Sequence, residues 1–393
     1  MDFKRLEDAK LKGKTALVRV DFNVPRNDKG EITDDTRIKA ALPTIKLLQS
    51  VGVKTVLLSH FGRPKGKADT DLSLRFIVPA LAEALGGEVL FMPELNPNAP
   101  DIMKAGDVML LENTRFHAGE TKGDDDLAKD FAAFGDIFIM DAFSAAHRNH
   151  ASSAGIAKHL PAYAGLAMER ELDHISQALD VPKKPVMGVV GGAKVSTKID
   201  LLKNLVGKLD RLVIGGGMAN TFLYAQGYNV GASLCEKDLK DTALEIIKAA
   251  KKAKCEIILP VDVVAAEKFA KDAPHRVCGL DDVKPNEMIL DAGPDTVTKI
   301  IDAMEASKTL IWNGPLGAFE ISPFDTSTVE AAKFAAKLTK AGKLIAVAGG
   351  GDTVSALNHA GAADDFTFIS TAGGAFLEWM EGKTLPGVDI LKK

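Results

Sequence analysis

The stretch PVMGVVGGAKVSTKID, residues 185–200, passes from one structural pattern to another within a few positions. Its first part is a nearly continuous apolar run without polar alternation, the pattern of a strand buried on both faces of a sheet. Gly191 and Gly192 break that run, and Ser196, Thr197 and Lys198 open a helical segment. Strand, glycine turn and helix form the unit from which parallel α/β sheets are built. Further strands are expected in RLVIGGG (211–217), EIILPVDV (256–263), TLIWNGP (309–315) and LIAVAGGG (344–351). In the first half they are expected in TALVRVDF (15–22), KTVLLS (54–59), EVLFM (88–92), VMLLE (108–112) and IFIMDAF (137–143). Helices fall between them, as in 73–85 and in 37–50, where Ala40, Ala41, Ile45, Leu47 and Leu48 supply the apolar face. Two such sets predict an α/β protein of two doubly wound, Rossmann-like parallel-sheet domains.

Residues 165–180 read as a helix, and the proline-bounded, charged DVPKKP (180–185) follows it. The expected division is a first domain over 1–172, a hinge helix and linker over 173–186, and a second domain over 187–375. The chain has 393 residues, 49 Lys+Arg against 53 Asp+Glu and a net charge of −4, which argues against coating nucleic acid or an anionic membrane. Cys235, Cys255 and Cys278 are too few and too far apart for a disulfide framework, and fit a reducing, cytoplasmic compartment. No apolar run approaches the ~20 residues that span a bilayer, and MDFKRLEDAK lacks the apolar centre of a signal peptide, so secreted and membrane classes are excluded.

Ligands of open parallel sheets bind beyond the carboxyl ends of the strands. In the first half those ends deliver Asp21 and Asn23, His60 and Arg63, Arg115, and Arg148, with Arg37 at the start of the first helix. Each arginine alone could serve in a structural salt bridge. Several at equivalent positions point to an anion site, because the planar guanidinium grips phosphate or carboxylate bidentately. His147 and His150 lack the acidic or cysteine partners that a zinc site needs. In the second half glycines take over: Gly191-Gly192-Ala193-Lys194, Gly215-Gly216-Gly217, Gly349-Gly350-Gly351-Asp352-Thr353 and Ser370-Thr371-Ala372-Gly373-Gly374 each follow a strand. Glycine lets backbone amides approach phosphate oxygens, and a helix N-terminus favours the negative charge. Lys194 and Lys198, four residues apart, share a helix face if the helix has begun. Asp352 is placed to hold a magnesium ion beside phosphates.

Neither Gly13-Lys14-Thr15 nor Gly382-Lys383-Thr384 completes a Walker loop, and no G-x-G-x-x-G occurs. A dehydrogenase therefore loses its fingerprint. A binding protein that closes on a phosphorylated metabolite without chemistry is a second alternative. Two unlike sites favour a bisubstrate phosphoryl transfer, which needs positioning and charge neutralisation more than a protein nucleophile.

Taken together, Arg19-Val20-Asp21-Phe22-Asn23-Val24-Pro25, His60-Phe61-Gly62-Arg63-Pro64, Gly192-Ala193-Lys194-Val195-Ser196-Thr197-Lys198, Gly215-Gly216-Gly217-Met218-Ala219-Asn220-Thr221-Phe222, Trp312-Asn313-Gly314-Pro315 and Gly349-Gly350-Gly351-Asp352-Thr353 resemble the phosphoglycerate kinase family, in its order and over essentially the whole chain. The resemblance implies the glycolytic reaction 1,3-bisphosphoglycerate + ADP ⇌ 3-phosphoglycerate + ATP, with Mg2+ as Mg·ATP or Mg·ADP, in a monomeric cytoplasmic enzyme. It implies direct in-line transfer after domain closure across a deep interdomain cleft. Asp21, Asn23, Arg37, His60, Arg63, Arg115 and Arg148 would bind the triose acid. Gly192, Ala193, Lys194, Lys198, Gly216, Gly350, Gly351, Asp352 and Thr353 would line the nucleotide phosphates, with Asp352 at the metal, and Asn313 and Glu320 would contact the nucleoside. Arg37, Lys194 and the amides of Gly373 and Gly374 would stabilise the phosphoryl group in flight. Residues 376–393 would pack back on the first domain. Ala372 stands where the family commonly has glycine, and a need for φ > 0 there would strain it.

Overall fold

The computed structural model describes residues 2–393. They fall into two compact units, one running to Asp173 and including Thr384–Lys393, the other His174–Lys383. The first is built on six parallel strands: β1 (Thr15–Arg19), β2 (Lys54–Leu58), β3 (Val89–Met92), β4 (Val108–Leu111), β5 (Ile137–Met140) and β6 (Ala162–Ala164). Their spatial order is β3-β4-β2-β1-β5-β6. At the centre, Val18 lies between Leu57 and Ile139, and these pack with helix α1 (Thr36–Ser50) in one core. The buried apolar face of α1 is Ile38, Ala41, Ile45 and Leu48, whereas Ala40 and Leu47 of the expected face are exposed. Spacings of three and four residues starting from Ile38 keep that set on one stripe. Helices α2 (Ile77–Leu85), α3 (Asp125–Ala132) and α4 (Leu166–Leu179) follow.

The second unit has strands β7 (Val186–Val190), β8 (Arg211–Ile214), β9 (Glu256–Ile258), β10 (Asp262–Ala266), β11 (His275–Gly279), β12 (Met288–Ala292), β13 (Thr309–Asn313), β14 (Ile345–Gly349) and β15 (Phe368–Ser370). Six of them form a parallel sheet ordered β15-β14-β13-β7-β8-β9. Its helices are α5 (Ile199–Leu205), α6 (Gly217–Ala225), α7 (Lys240–Ala253), α8 (Pro294–Glu305), α9 (Thr326–Lys340), α10 (Gly351–His359) and α11 (Gly373–Met380). The run 256–263, expected as one strand, is two. Pro260 has no amide hydrogen to give a ladder, and the chain leaves the large sheet at Ile258 to enter an antiparallel sheet ordered β11-β10-β12. Residues 376–383 belong with this unit, where Phe376 and Met380 are buried.

The last segment, with α12 (Pro386–Asp389), returns to the first unit: Lys4 N–H donates to Leu391 O at 2.7 Å and Gly387 N–H to Ala146 O at 2.8 Å. No helix among the described residues is long and apolar enough to cross a membrane. Strand order reverses direction between β1 and β5 in the first sheet and between β7 and β13 in the second. Crevices open at such switch points, beyond the carboxyl ends of the strands.

Candidate active-site residues

The first switch point is occupied by charged and polar side chains joined by hydrogen bonds. Arg37 Nη1 donates to Asp21 Oδ2 at 2.7 Å, and Ser144 Oγ donates to the same oxygen at 2.5 Å. The Asn23 amide donates to Asp21 Oδ1, and Asn23 Oδ1 accepts from the Gly62 amide at 2.9 Å. Arg115 Nη1 closes the run on Gly62 O at 2.7 Å. Burial pushes the Asp21 carboxyl up, but the Arg37 charge and the Ser144 and Asn23 donors outweigh it and hold the group below its usual value. Asp21 is thus the anion that keeps Arg37 in place.

His60, the residue after Ser59, is 9 % exposed, and its Nδ1 is 3.0 Å from Arg19 Nη2. A guanidinium can only donate, so Nδ1 accepts and the ring proton sits on Nε2. Burial and the Arg19 charge hold His60 well below its ordinary pKa, so it is a neutral donor. Arg63 and Arg148 are exposed, and Arg148 Nε donates to His147 Nε2 at 2.9 Å. Their charges nevertheless reach Arg115. Burial, then Arg148, Arg19 and Arg63 bring Arg115 down to about 10. Such concentrated positive charge is the signature of a site that takes an anion. His150 faces Glu120 at 3.8 Å, with its pKa pushed down to about 4 mainly by burial. Among the described residues no group of His, Cys, Asp or Glu is placed to hold a metal ion by itself.

Three participants went unassigned in the sequence reading. Asn113, fully buried at the end of β4, accepts from the Phe61 and Arg115 amides and donates to Phe61 O and Leu72 O, fixing the loop that carries Gly62. Its polar side chain two residues past an apolar strand was the available signal. Arg19 lay inside a quoted motif and Ser144 just past the run IFIMDAF, and nothing in the sequence separated either from structural residues.

At the second switch point the backbone does most of the work. A Cβ at Gly191 would lie 1.7 Å from Pro315 O, and one at Gly314 would lie 2.1 Å from Gly191 O. The two loops therefore meet main chain to main chain. Gly314 also has φ +105°. Lys198 Nζ caps this junction, donating to Gly191 O at 2.5 Å, Asn313 Oδ1 at 2.6 Å and Asn313 O at 3.2 Å. Burial brings the Lys198 ammonium down to about 8, with Asp352 opposing. Asn313 Nδ2 donates to Gly349 O at 2.8 Å, so both ends of that side chain are committed within the protein. Thr353 Oγ1 accepts from the Gly314 amide. Lys194 and Asp352 are exposed.

Helices α10 and α11 begin at Gly351 and Gly373, and a Cβ on Gly373 would lie 3.9 Å from the Gly351 amide nitrogen. Two helix N-termini with unpaired amides thus stand side by side, a favourable setting for phosphate oxygens. Ala372 has φ −93°, so the alanine imposes no strain. Next to the glycine loops a cavity of about 390 Å³ is walled by Gly192, Gly216, Leu234, Leu290, Pro315 and Glu320, among others. Its apolar walls and few polar groups suit a planar heterocycle. Asn313, expected at the nucleoside, is not on that wall. The walls from β12 and from Phe269 were missed because apolar residues there read as ordinary core.

A family model described as phosphoglycerate kinase matches residues 6–383. Phosphoglycerate kinase of Caulobacter vibrioides (strain NA1000 / CB15N) is 61 % identical over 396 residues, covering 100 % of both chains. The solved phosphoglycerate kinase from Coxiella burnetii superposes with a TM-score of 0.93 at 42 % identity, covering 99 % of this chain and 98 % of that one. The phosphoglycerate kinase from Pyrococcus horikoshii OT3 gives 0.76 at 29 % identity, with the same coverage.

Proposed function

The chain belongs to the phosphoglycerate kinase family, and we propose that its two switch points divide that family's reaction, the triose acid taken by the first unit and the nucleotide by the second. The reaction moves the acyl phosphate of 1,3-bisphosphoglycerate to ADP, giving 3-phosphoglycerate and ATP, reversibly. The observation that carries the division is the unlike make of the sites: a guanidinium-rich one holding a neutral histidine, and a glycine–lysine one at helix N-termini beside an apolar cavity.

In the first unit Arg63, Arg115 and Arg148 neutralise the carboxylate and phosphate of the triose acid, and His60 Nε2–H donates to one of its oxygens. Asp21 and Asn23 hold Arg37 and the Gly62 loop. In the second unit the amides at the starts of α10 and α11, with Lys194 and Lys198, receive the phosphates, and Glu320 faces the nucleoside. Lys198 would exchange its carbonyl partners for phosphate oxygens. The bond from phosphorus to the acyl oxygen breaks as one to the ADP β-phosphate oxygen forms. The leaving group is a carboxylate, so no protein acid is needed. Arg37, Lys194 and the Gly373 and Gly374 amides balance the charge of the phosphoryl group. Because the two ligands belong to different units, closure of the units brings them into line and excludes water.

The Asp352 carboxylate is exposed at the start of α10 and makes no hydrogen bond or ion pair among the described residues. One free hard oxygen donor fits Mg2+, which takes one or two carboxylates and completes its shell with phosphates and water. The ion would neutralise phosphate charge there. The test is 3-phosphoglycerate-dependent ADP formation from Mg·ATP, in the wild type and in Arg37→Ala and Lys194→Ala. Each variant is expected to stay folded and to lose turnover by about two orders of magnitude or more. Near-normal turnover in both would overturn the assignment.

A further inference from the structure

Behind the first-unit site lies a hydrogen-bonded chain that is wholly buried and runs in one direction. Glu120 and Ser152 are 0 % exposed and Arg19 is 1 % exposed. Glu120 Oε2 accepts from the Ser152 amide at 2.9 Å and Oε1 accepts from Ser152 Oγ at 2.5 Å. Ser152 Oγ in turn accepts from Arg19 Nε at 3.0 Å. Arg19 Nη1 donates to Val20 O and Nη2 reaches His60 Nδ1 at 3.0 Å. Arginine has no acceptor, so Ser152 must pass its own hydrogen on to Glu120, and His60 must present a bare Nδ1 to Arg19. No other arrangement of protons satisfies every member.

We propose that Glu120, acting through Ser152 and Arg19, is the positioning residue that fixes the Nε2–H tautomer of His60, which then donates to an oxygen of the triose acid. The proposal rests on His60 belonging to the triose site. Glu120 is the only carboxylate bonded to this chain of donors among the described residues, and its charge balances a guanidinium that has no access to water. Without it, Arg19 has reason to turn away from Ser152, and His60 loses the donor that holds its ring. The ring also faces the charges of Asp21, Arg115 and Arg148, and burial together with Arg19, Arg115 and Arg148 keeps the imidazole neutral against Asp21. A neutral donor of fixed tautomer binds an acceptor oxygen without adding a further cation to the site.

The test begins with the wild-type protein. Nitrogen-15 spectra of its histidine side chains, with His60 assigned by loss in His60→Gln, are expected to show Nε2 protonated and Nδ1 bare from pH 6 to pH 8. A protonated Nδ1, or an imidazolium at pH 6, overturns the proposal. In Glu120→Gln the His60 signals are expected to shift toward a tautomer mixture, and KM for 3-phosphoglycerate to rise about tenfold, with KM for ATP unchanged and kcat within about threefold. Ser152→Ala is expected to behave likewise and Ser152→Thr, which keeps the hydroxyl, to restore the wild-type spectrum. Wild-type His60 signals in both Glu120→Gln and Ser152→Ala overturn the role of Glu120. Should those variants not fold, the wild-type spectrum still decides. The expected spectrum together with an unchanged triose KM in His60→Gln would reject His60 as a triose contact and, with it, the donor function assigned here.

Discussion

Lys198 connects charge, stability and ligand binding in one measurable quantity. Its ammonium is capped by three carbonyl oxygens at the β7–β13 junction, and burial brings it from 10.5 to about 8. That difference is worth about 3 kcal/mol against the charged form. The folded pKa lies below the unfolded one, so between pH 8 and 10.5 the unfolded chain binds more protons and stability rises with pH across that window. Below pH 8 the cost is borne in full. Nucleotide binding reverses the balance, because phosphate oxygens beside Nζ favour the ammonium. At pH 8.5 a free site with a pKa near 8 is protonated about a quarter of the time and the bound one almost always, so binding takes up about three quarters of a proton. At pH 7 the free site is already about nine-tenths protonated, and uptake falls to about a tenth of a proton.

Calorimetric titration with Mg·ADP in two buffers of different ionisation enthalpy reads this number directly. The expected result is uptake of about 0.7 proton at pH 8.5 and about 0.1 at pH 7, with affinity weakening above pH 8 by up to about tenfold per pH unit. Lys198→Met is expected to bind more weakly and to lose the uptake. Uptake near zero in the wild type at pH 8.5, or uptake preserved in Lys198→Met, would refute the reasoning. If Lys198→Met does not bind measurably, the contrast between the two pH values in the wild type remains decisive.

Gly191→Ala drives a Cβ to 1.7 Å from Pro315 O at a backbone-to-backbone junction; the expected cost is about 3 kcal/mol, a fall of about 6–12 °C in the melting temperature of the second unit, and an unchanged melting curve would contradict it. Asn113→Ala removes a buried side chain that serves four backbone groups; urea denaturation is expected to show about 3 kcal/mol of lost stability, with KM for 3-phosphoglycerate raised as the Gly62 loop loosens. Asp21→Asn keeps the shape but removes the charge that holds Arg37 at 2.7 Å; steady-state kinetics are expected to show turnover reduced about tenfold with nucleotide KM unchanged.

The parallel sheets were legible because their central strands are buried on both faces, yet apolar runs record burial and not strand pairing. TALVRVDF extends to residue 22, whereas β1 ends at Arg19; Val20 and Phe22 are 0 % exposed although they lie in the loop beyond the strand. The overshoot thus marks where the loop beyond the strand turns inward to join the core. β11 went unread for the opposite reason: its residues, His275–Gly279, are mostly exposed or half-exposed and carry no apolar run. β6, only three residues long, offered no period to read. Among residues of the two switch points, motif order named the arginines, His60 and the glycine loops, but not the buried side chains hydrogen-bonded behind them. Glu120 and Ser152 are 32 residues apart, and a fully buried glutamate is indistinguishable by composition from a solvated one. Asn313 shows the converse. Its motif marks it as functional, but its amide is spent on Gly349 O and Lys198, bracing the junction.

The two sites also differ in what they cost the protein before any ligand arrives. The second relies on amides and helix dipoles, which are neutral, and on one half-buried lysine satisfied by carbonyls. The first concentrates Arg19, Arg63, Arg115 and Arg148, and the lowering of Arg115 to about 10 reports their repulsion. Two carboxylates, Asp21 and Glu120, offset part of that charge, bonded to Arg37 and to Ser152, and in the proposed division of the reaction both stand behind the groups that meet the triose acid. Placed in front, either would compete with the triose acid. Placed behind, they steady the arginines while leaving their outward donors for an anion. A triose phosphate that binds there removes the remaining repulsion, so it should stabilise the first unit by more than its contacts alone supply. Salt should weaken that gain, because screening relieves the empty site in advance.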